Sequence, residues 1–185
     1  MPSFTRKAIM ESFMKLLDAR PLNKITIKDI VEECGINRNT FYYHFEDIPA
    51  LVEAIFKEET DRFISAHTSV ASLEEGMLLA VDFLMKYRRA ILHIYNSPSR
   101  EVYERYLMQM CEYIASRLLD TVLAGRRISA ADHEVIVALY KCLSYGLFID
   151  WLNDSLQGDL QPRIARLVQL RGGMLEETIN RCAAE

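Results

Sequence analysis

Between residues 26 and 47 the chain has almost no choice but two short helices meeting at a glycine turn. Ile27, Ile30, Val31 and Cys34 fall at i, i+3, i+4 and i+7, which is one apolar stripe of a helix. Thr26, with Asp29 three residues on, predicts a capping box in which Asp replaces the usual Glu or Gln. Gly35 stands where a helix needs a residue at positive φ in order to stop. Asn37 can cap the next helix by accepting a backbone N–H. In that helix Phe41 and Phe45 share one face, and Ile36 can pack beneath them. Arg38, Asn39, Tyr42, Tyr43 and His44 are left on other faces. A merely solvated helix would carry Glu and Lys there, whereas these side chains suit phosphate oxygens and base edges. The pattern predicts a helix-turn-helix whose second helix enters the DNA major groove.

The rest of the chain predicts helix throughout. Glycine (7) and proline (5) are few, and no strand-like alternation persists. A first helix is expected over about Thr5 to Ala19, with Ile9, Phe13, Leu16 and Leu17 inward, ended by Arg20-Pro21-Leu22. Asp47 is expected to cap a fourth helix, about Ile48 to Ala66, with Pro49 in its first turn. Its apolar side is Leu51, Val52, Ile55, Phe56 and Phe63. After a polar connection from His67 to Ala71, Ser72 to Glu75 reads as a capping box opening the next helix. Further helices are expected at about 89–95, 99–123, 129–156 and 162–181, the last carrying a Gly172-Gly173 pair that would either kink it or let a partner backbone approach.

Composition narrows the classes. Half of the 185 residues are hydrophobic, yet no uninterrupted apolar run approaches the ~18 residues of a membrane span. The excess apolar surface must enter a subunit interface, an internal cavity, or both. Met1 to Lys7 holds no long apolar segment, so no signal peptide is expected and a cytoplasmic location is. Cys34, Cys111, Cys142 and Cys182 are widely spaced within helical apolar patterns, which predicts buried reduced thiols. His44, His67, His93 and His133 are scattered, so neither a metal site nor a cofactor is expected. No nucleophile motif or phosphate loop points to an enzyme. Residues 1–47 hold 7 basic and 7 acidic side chains, while residues 48–185 hold 15 and 19, so the net charge of −4 lies wholly beyond the helix-turn-helix.

Thr26, Ile27, Ile30, Gly35, Ile36, Asn37, Thr40, Phe41, Tyr42, His44 and Phe45 resemble the N-terminal pattern of the TetR family of bacterial regulators, which runs Thr-Val/Ile-x-x-Ile, then Gly-Val/Ile-Ser/Asn-x-x-Thr-Leu/Phe-Tyr-x-His/Tyr-Phe. The resemblance is specific over about residues 5–60. Tyr145-Gly146-Leu147-Phe148 followed by Trp151-Leu152 also resembles a subgroup that includes the dihydroxyacetone-kinase activator. One departure concerns the lysine that members often carry near the start of the fourth helix. Here Ile48 holds its place, beside Glu46 and Asp47, which predicts weaker phosphate contact.

The resemblance implies an all-α protein. It sets an N-terminal three-helix DNA-binding domain at 1–50, a linking fourth helix at about 48–66, and a helical-bundle domain for ligand binding and dimerisation at 67–185. It implies a homodimeric transcriptional regulator on double-stranded DNA with an inverted-repeat operator: a repressor released by a small-molecule inducer or, alternatively, a co-regulator or activator working through a protein partner. Arg38, Asn39 and Tyr43 would meet base edges, and Thr26, Lys28, Thr40, Tyr42 and His44 would position phosphates. The inducer candidates are His93, Tyr103, Tyr106, Met110, Tyr113 and Tyr140, although such aromatics also suit plain helical core. Leu143, Leu147, Trp151, Ile164 and Leu167 are the expected dimer contacts. Inducer binding would pivot the fourth helix and change the separation of the two recognition helices.

Overall fold

A computed structural model describes residues 4–67 and 72–182. Among them the fold is all helix, without a strand. The helices are α1 Phe4–Ala19, α2 Ile27–Cys34, α3 Arg38–His44, α4 Ile48–Ala66, α5 Leu73–Lys86, α6 Arg88–Tyr95, α7 Arg100–Leu123, α8 Ala130–Asn153, α9 Gln161–Leu170 and α10 Met174–Cys182, with a 3-10 turn at Leu22–Lys24. Most of the connection expected at 67–71 lies outside the described residues.

Packing groups the chain into two compact units, Met1–Asp61 with Lys86–Tyr106, and Arg62–Met85 with Leu107–Glu185. The division expected from sequence differs in assigning 86–106 to the second part. In the first unit α1 packs on α2 and α6, and α2 on α3. Ile9, Phe13, Leu17, Ile30, Phe41 and Leu51 are wholly buried there. α6 joins this unit because Ile91 and Ile94 turn inward and His93 Nδ1 donates to the Leu17 carbonyl at 2.6 Å. The start of α7 joins it through Tyr103 and Tyr106, whose rings sit 5.3 and 6.2 Å from Phe56 of α4.

The core of the second unit gathers Leu118, Leu119 and Leu123 of α7, Ile136 and Val137 of α8, and Ile179 of α10. α8 is long and apolar enough to cross a membrane by length and composition. Its Ile136, Val137, Tyr140, Ser144, Phe148, Trp151 and Leu152 are instead buried within the chain. It ends at Asn153 rather than at the expected Leu156, because Ser155 and Leu156 adopt positive φ. The single last helix expected from sequence is two helices. Gly173 takes φ +80°, in the left-handed region, and separates α9 from α10. Arg126 then holds α10 in place by donating to Glu176 Oε1 and Oε2 at 2.7 and 3.0 Å. The expectation of four buried thiols is corrected at three of them: Cys34 and Cys182 are half-buried, and Cys142 is exposed because it lies on the stripe of α8 opposite the buried one. Cys111 is buried, and desolvation pushes its thiol up to about 12.

Gly35 closes α2 at φ 72° and ψ 31°, and a Cβ there would meet no atom within 4 Å. Gly35→Ala therefore tests backbone strain alone. It is expected to lower stability in urea unfolding by about 1–2 kcal/mol, and Gly35→Asn is expected to recover part of that. An unchanged Gly35→Ala midpoint would contradict the strain account.

Candidate nucleic-acid interface

The helix-turn-helix is built from local hydrogen bonds. Thr26 N–H and Oγ1 donate to Asp29 Oδ2 at 2.8 and 2.6 Å, and Asp29 N–H donates to Thr26 Oγ1 at 3.2 Å. This is the full capping box expected of the pair. Arg20 adds an ion pair to Asp29 at 3.2 Å. The Thr26 hydrogen bonds, chiefly that of its side chain, hold the Asp29 carboxyl down at about 2. Asn37 Oδ1 caps α3, accepting from Thr40 N–H at 2.9 Å and from Thr40 Oγ1 at 3.1 Å. Asp47 Oδ1 caps α4 by accepting from Ala50 N–H at 2.7 Å, the role expected of it.

On this frame α3 turns Phe41 fully inward and shows its polar residues to solvent. Arg38 and Asn39 are exposed at its N-terminal end, and their side chains make no hydrogen bond or ion pair among the described residues. Tyr43 is 85% exposed and Tyr42 55%, values out of character for aromatic rings in a monomer's own packing. Tyr42 stands edge-on to Phe41, and Tyr43 edge-on to the half-buried His44. Lys28 is exposed on α2, 3.7 Å from Glu32. Thr40 is half-buried, with its hydroxyl proton on Asn37. Thr26 is exposed but donates both of its polar hydrogens to Asp29. Seven of the eight expected DNA contacts thus lie within α2 and α3: Lys28 on α2, and Arg38, Asn39, Thr40, Tyr42, Tyr43 and His44 on the short α3. The eighth, Thr26, is the cap of α2.

The residues that hold this surface in place carry no local signal. Arg6 of α1 donates to Glu58 of α4 at 2.6 Å and lies over the Phe45 ring at 4.8 Å. Lys15 of α1 pairs with Glu33 of α2. These partners are 18 or more positions apart, and no helical spacing connects them.

The inducer candidates are divided. His93, Tyr103 and Tyr106 belong to the first unit, and Met110, Tyr113 and Tyr140 to the second. His93 is engaged by Leu17, and the Tyr113 hydroxyl donates to the carbonyls of Ile64 and His67 at 3.1 and 3.0 Å. Tyr140 lies 4.4 Å beneath the Arg171 guanidinium, and burial pushes its hydroxyl up. Tyr113 also lines a cleft of about 360 Å³ between α7 and α8, with Glu112, His133 and Lys141. Of the expected dimer contacts, Trp151 and Ile164 are 3% and 0% exposed and belong to the chain's own core, while Leu143, Leu147 and Leu167 are half-buried.

The geometry is that of a helix-turn-helix regulator. Comparison with known proteins agrees: residues 9–55 match the family model of bacterial regulatory proteins of the tetR family, and residues 71–171 match that of a transcriptional regulator C-terminal region of the TetR type. The chain belongs to the TetR family, whose members are transcriptional regulators rather than enzymes. It is 26% identical over 80 residues to the HTH-type dhaKLM operon transcriptional activator DhaS of Lactococcus lactis subsp. lactis, covering 43% of each chain. It is 29% identical over 87 residues to the HTH-type transcriptional regulator SA2364 of Staphylococcus aureus, covering 45% of this chain and 47% of the relative. These matches span less than half of each relative. The fold is similar to that of the dihydroxyacetone kinase operon activator DhaS, with TM-score 0.66 and 18% identity over 91% of this chain and 96% of the other. It is also similar to Salmonella enterica GusR, with TM-score 0.61 and 17% identity over 90% and 94%.

The capping box gives a pH dependence with a definite sign. Asp29 titrates near 2 in the folded chain, below its ordinary 3.8, so its contribution is fully present above about pH 4 and is lost as the pH falls toward 2. The stability difference between the wild type and Asp29→Asn is expected to stay constant from pH 7 to pH 5 and to shrink between pH 4 and pH 2. Urea unfolding at each pH reads this, and a difference that stays flat across the acid range excludes the ionised box.

Proposed function

We propose that this regulator binds double-stranded DNA as a homodimer and reads an inverted repeat, one half-site per subunit. One observation carries the reading: α3 buries Phe41 and leaves Arg38, Asn39, Tyr42 and Tyr43 exposed on a short helix entered through a tight glycine turn. Arg38 and Asn39 read base edges from its N-terminal end, since Arg suits guanine O6 and N7 and Asn suits adenine N6 and N7. Tyr43 adds to that contact. Lys28, Thr40, Tyr42 and His44 hold the backbone. Thr26 serves the site through its capping box, because its donors are already engaged.

A second copy is needed because one short helix contacts few bases, and two-fold symmetry doubles the site. The face that supports dimerisation lies on α8, α9 and the start of α10. Val135, 68% exposed, and Leu139 continue through the half-buried Leu143 and Leu147 along α8, and Leu170 and Met174 are exposed beyond the half-buried Leu167. This apolar stripe, rather than Trp151 and Ile164, is the proposed interface. The protein acts in the cytoplasm, where its DNA is.

Repression released by a small ligand is the reading favoured for the output, with the ligand acting through its difference in affinity for the two states. Activation through a protein partner is the second reading. Two observations favour it: DhaS, similar in sequence and fold, is named an activator, and Glu46 and Ile48 stand where a phosphate-binding cation would strengthen independent DNA binding. A gel shift with purified protein alone separates the two.

Selection of DNA fragments by the purified protein is expected to return an inverted repeat. On that operator Arg38→Ala should cost about 1–3 kcal/mol and relax one position per half-site, while Tyr42→Phe should weaken all sequences alike by about 0.5–1.5 kcal/mol. An equal loss on cognate and random DNA would make Arg38 a backbone contact.

Leu139→Glu combined with Leu170→Glu should convert a dimer to a monomer in light scattering, because both carboxylates would be buried without partners. A wild-type monomer at micromolar concentration, or a variant that stays dimeric, rejects this face.

A further inference from the structure

We infer that Arg6, which lies outside the helix-turn-helix, is a positioning residue for DNA reading. It fixes the exit of the recognition helix to α4. The inference rests on the DNA-binding role proposed above.

α3 has seven residues, well below the length at which a helix holds itself in water. Its direction must come from what surrounds its two ends. Asn37 holds the N-terminal end by the hydrogen bond to Thr40. At the other end the chain leaves the helix at Phe45, whose N–H donates to the Phe41 carbonyl at 2.9 Å and whose φ and ψ, −143° and 132°, are extended. Among the described residues no side chain caps that turn, so its geometry depends on the buried Phe45 ring. The Arg6 guanidinium carbon lies 4.8 Å from the centre of that ring. The same guanidinium donates to Glu58 Oε1 at 2.6 Å and approaches Met10 Sδ at 3.3 Å. Arg6 is about a quarter exposed and Glu58 about a third, so the pair is screened less than the surface pairs elsewhere on the chain.

One side chain from α1 therefore presses on the residue that ends the recognition helix and grips the middle of α4. A guanidinium can lie over a ring and pair at once, whereas a lysine ammonium can pair with Glu58 without reproducing the contact over the Phe45 ring. If α4 turns, Glu58 draws on Arg6, and Arg6 shifts the ring that sets where Tyr42, Tyr43 and His44 point. Arg6 itself touches no base or phosphate in this account.

The test measures operator affinity, random-DNA affinity and their salt dependence for the wild type, Arg6→Lys, Arg6→Met and Glu58→Gln. Arg6→Met is expected to lose about five- to tenfold on the operator, the scale of one cation–π contact with its ion pair. Its salt slope should stay unchanged, and its loss on random DNA should be smaller. Arg6→Lys should recover part of the loss, and Glu58→Gln should lose a part that is not additive with Arg6→Met. Amide exchange at Tyr42 to Phe45 should quicken in Arg6→Met while that of α2 does not. Should Arg6→Met fold poorly, Glu58→Gln with the same exchange measurement carries the test. A salt slope smaller by about one makes Arg6 a phosphate contact and overturns the proposal. So does an unchanged operator affinity in a folded variant. A wild-type protein that selects no DNA sequence rejects the DNA-binding role itself, and this inference falls with it.

Discussion

The burial of Phe41 is the constraint on which the exposed polar face of α3 depends. α3 is too short to persist alone, so its polar face points outward only because one aromatic ring is held entirely inside. Phe45 lies 5.9 Å from it, and the two rings share the core with the buried residues of α1, α2 and α4. Each cap then acts on an orientation that burial has already chosen. Asn37 and Asp47 bracket the recognition helix, and Gly35 bends the chain into it at positive φ.

α4 passes from one compact unit to the other between Asp61 and Arg62. Its first part is held by charge and by aromatic packing together. Glu53 pairs with Arg105 at 3.4 Å, Glu58 with Arg6, Glu59 accepts from the Tyr87 hydroxyl at 3.3 Å, and Phe56 lies against Tyr103 and Tyr106. Exposed pairs of this kind are each worth little. Their joint effect is directional, because they reach α4 from α1, from the α5–α6 junction and from α7. A helix gripped from three elements has few ways to rotate without carrying the helix-turn-helix along.

Electrostatics plays an unusual part for a DNA-binding family. The first 47 residues are neutral, and their acids are largely employed: Asp29 in its box, Asp47 as a cap, Glu33 with Lys15 and Glu32 with Lys28. Arg38 is the cation in α3 that is left to act on a partner. In the proposed DNA-binding role, such a surface would attract DNA weakly at long range and leave discrimination to a few hydrogen-bonding side chains.

Much of this protein was legible in the chain. Period-3.6 stripes placed nearly every helix, and the caps at Thr26, Asn37 and Asp47 were readable because a cap and its helix lie within three residues of each other. The exposed set on α3 was readable for the same local reason. What tertiary structure decided depends on distant partners. Trp151 and Ile164 turned inward because the Trp151 indole donates to the Gln157 carbonyl and the residues around Ile164 close over it, leaving Val135, Leu139 and Leu170 outside. Periodicity shows that a helix has an apolar face without saying how much of it the chain will cover itself. The grouping of α6 and the start of α7 with the helix-turn-helix followed from His93 meeting Leu17 across 76 positions, and the hold on Phe45 from Arg6 meeting Glu58 across 52. Local hydrogen bonding and helical period are properties of neighbours in sequence. Side-chain contacts between helices are set only when the whole core packs, and the chain order carries no record of them.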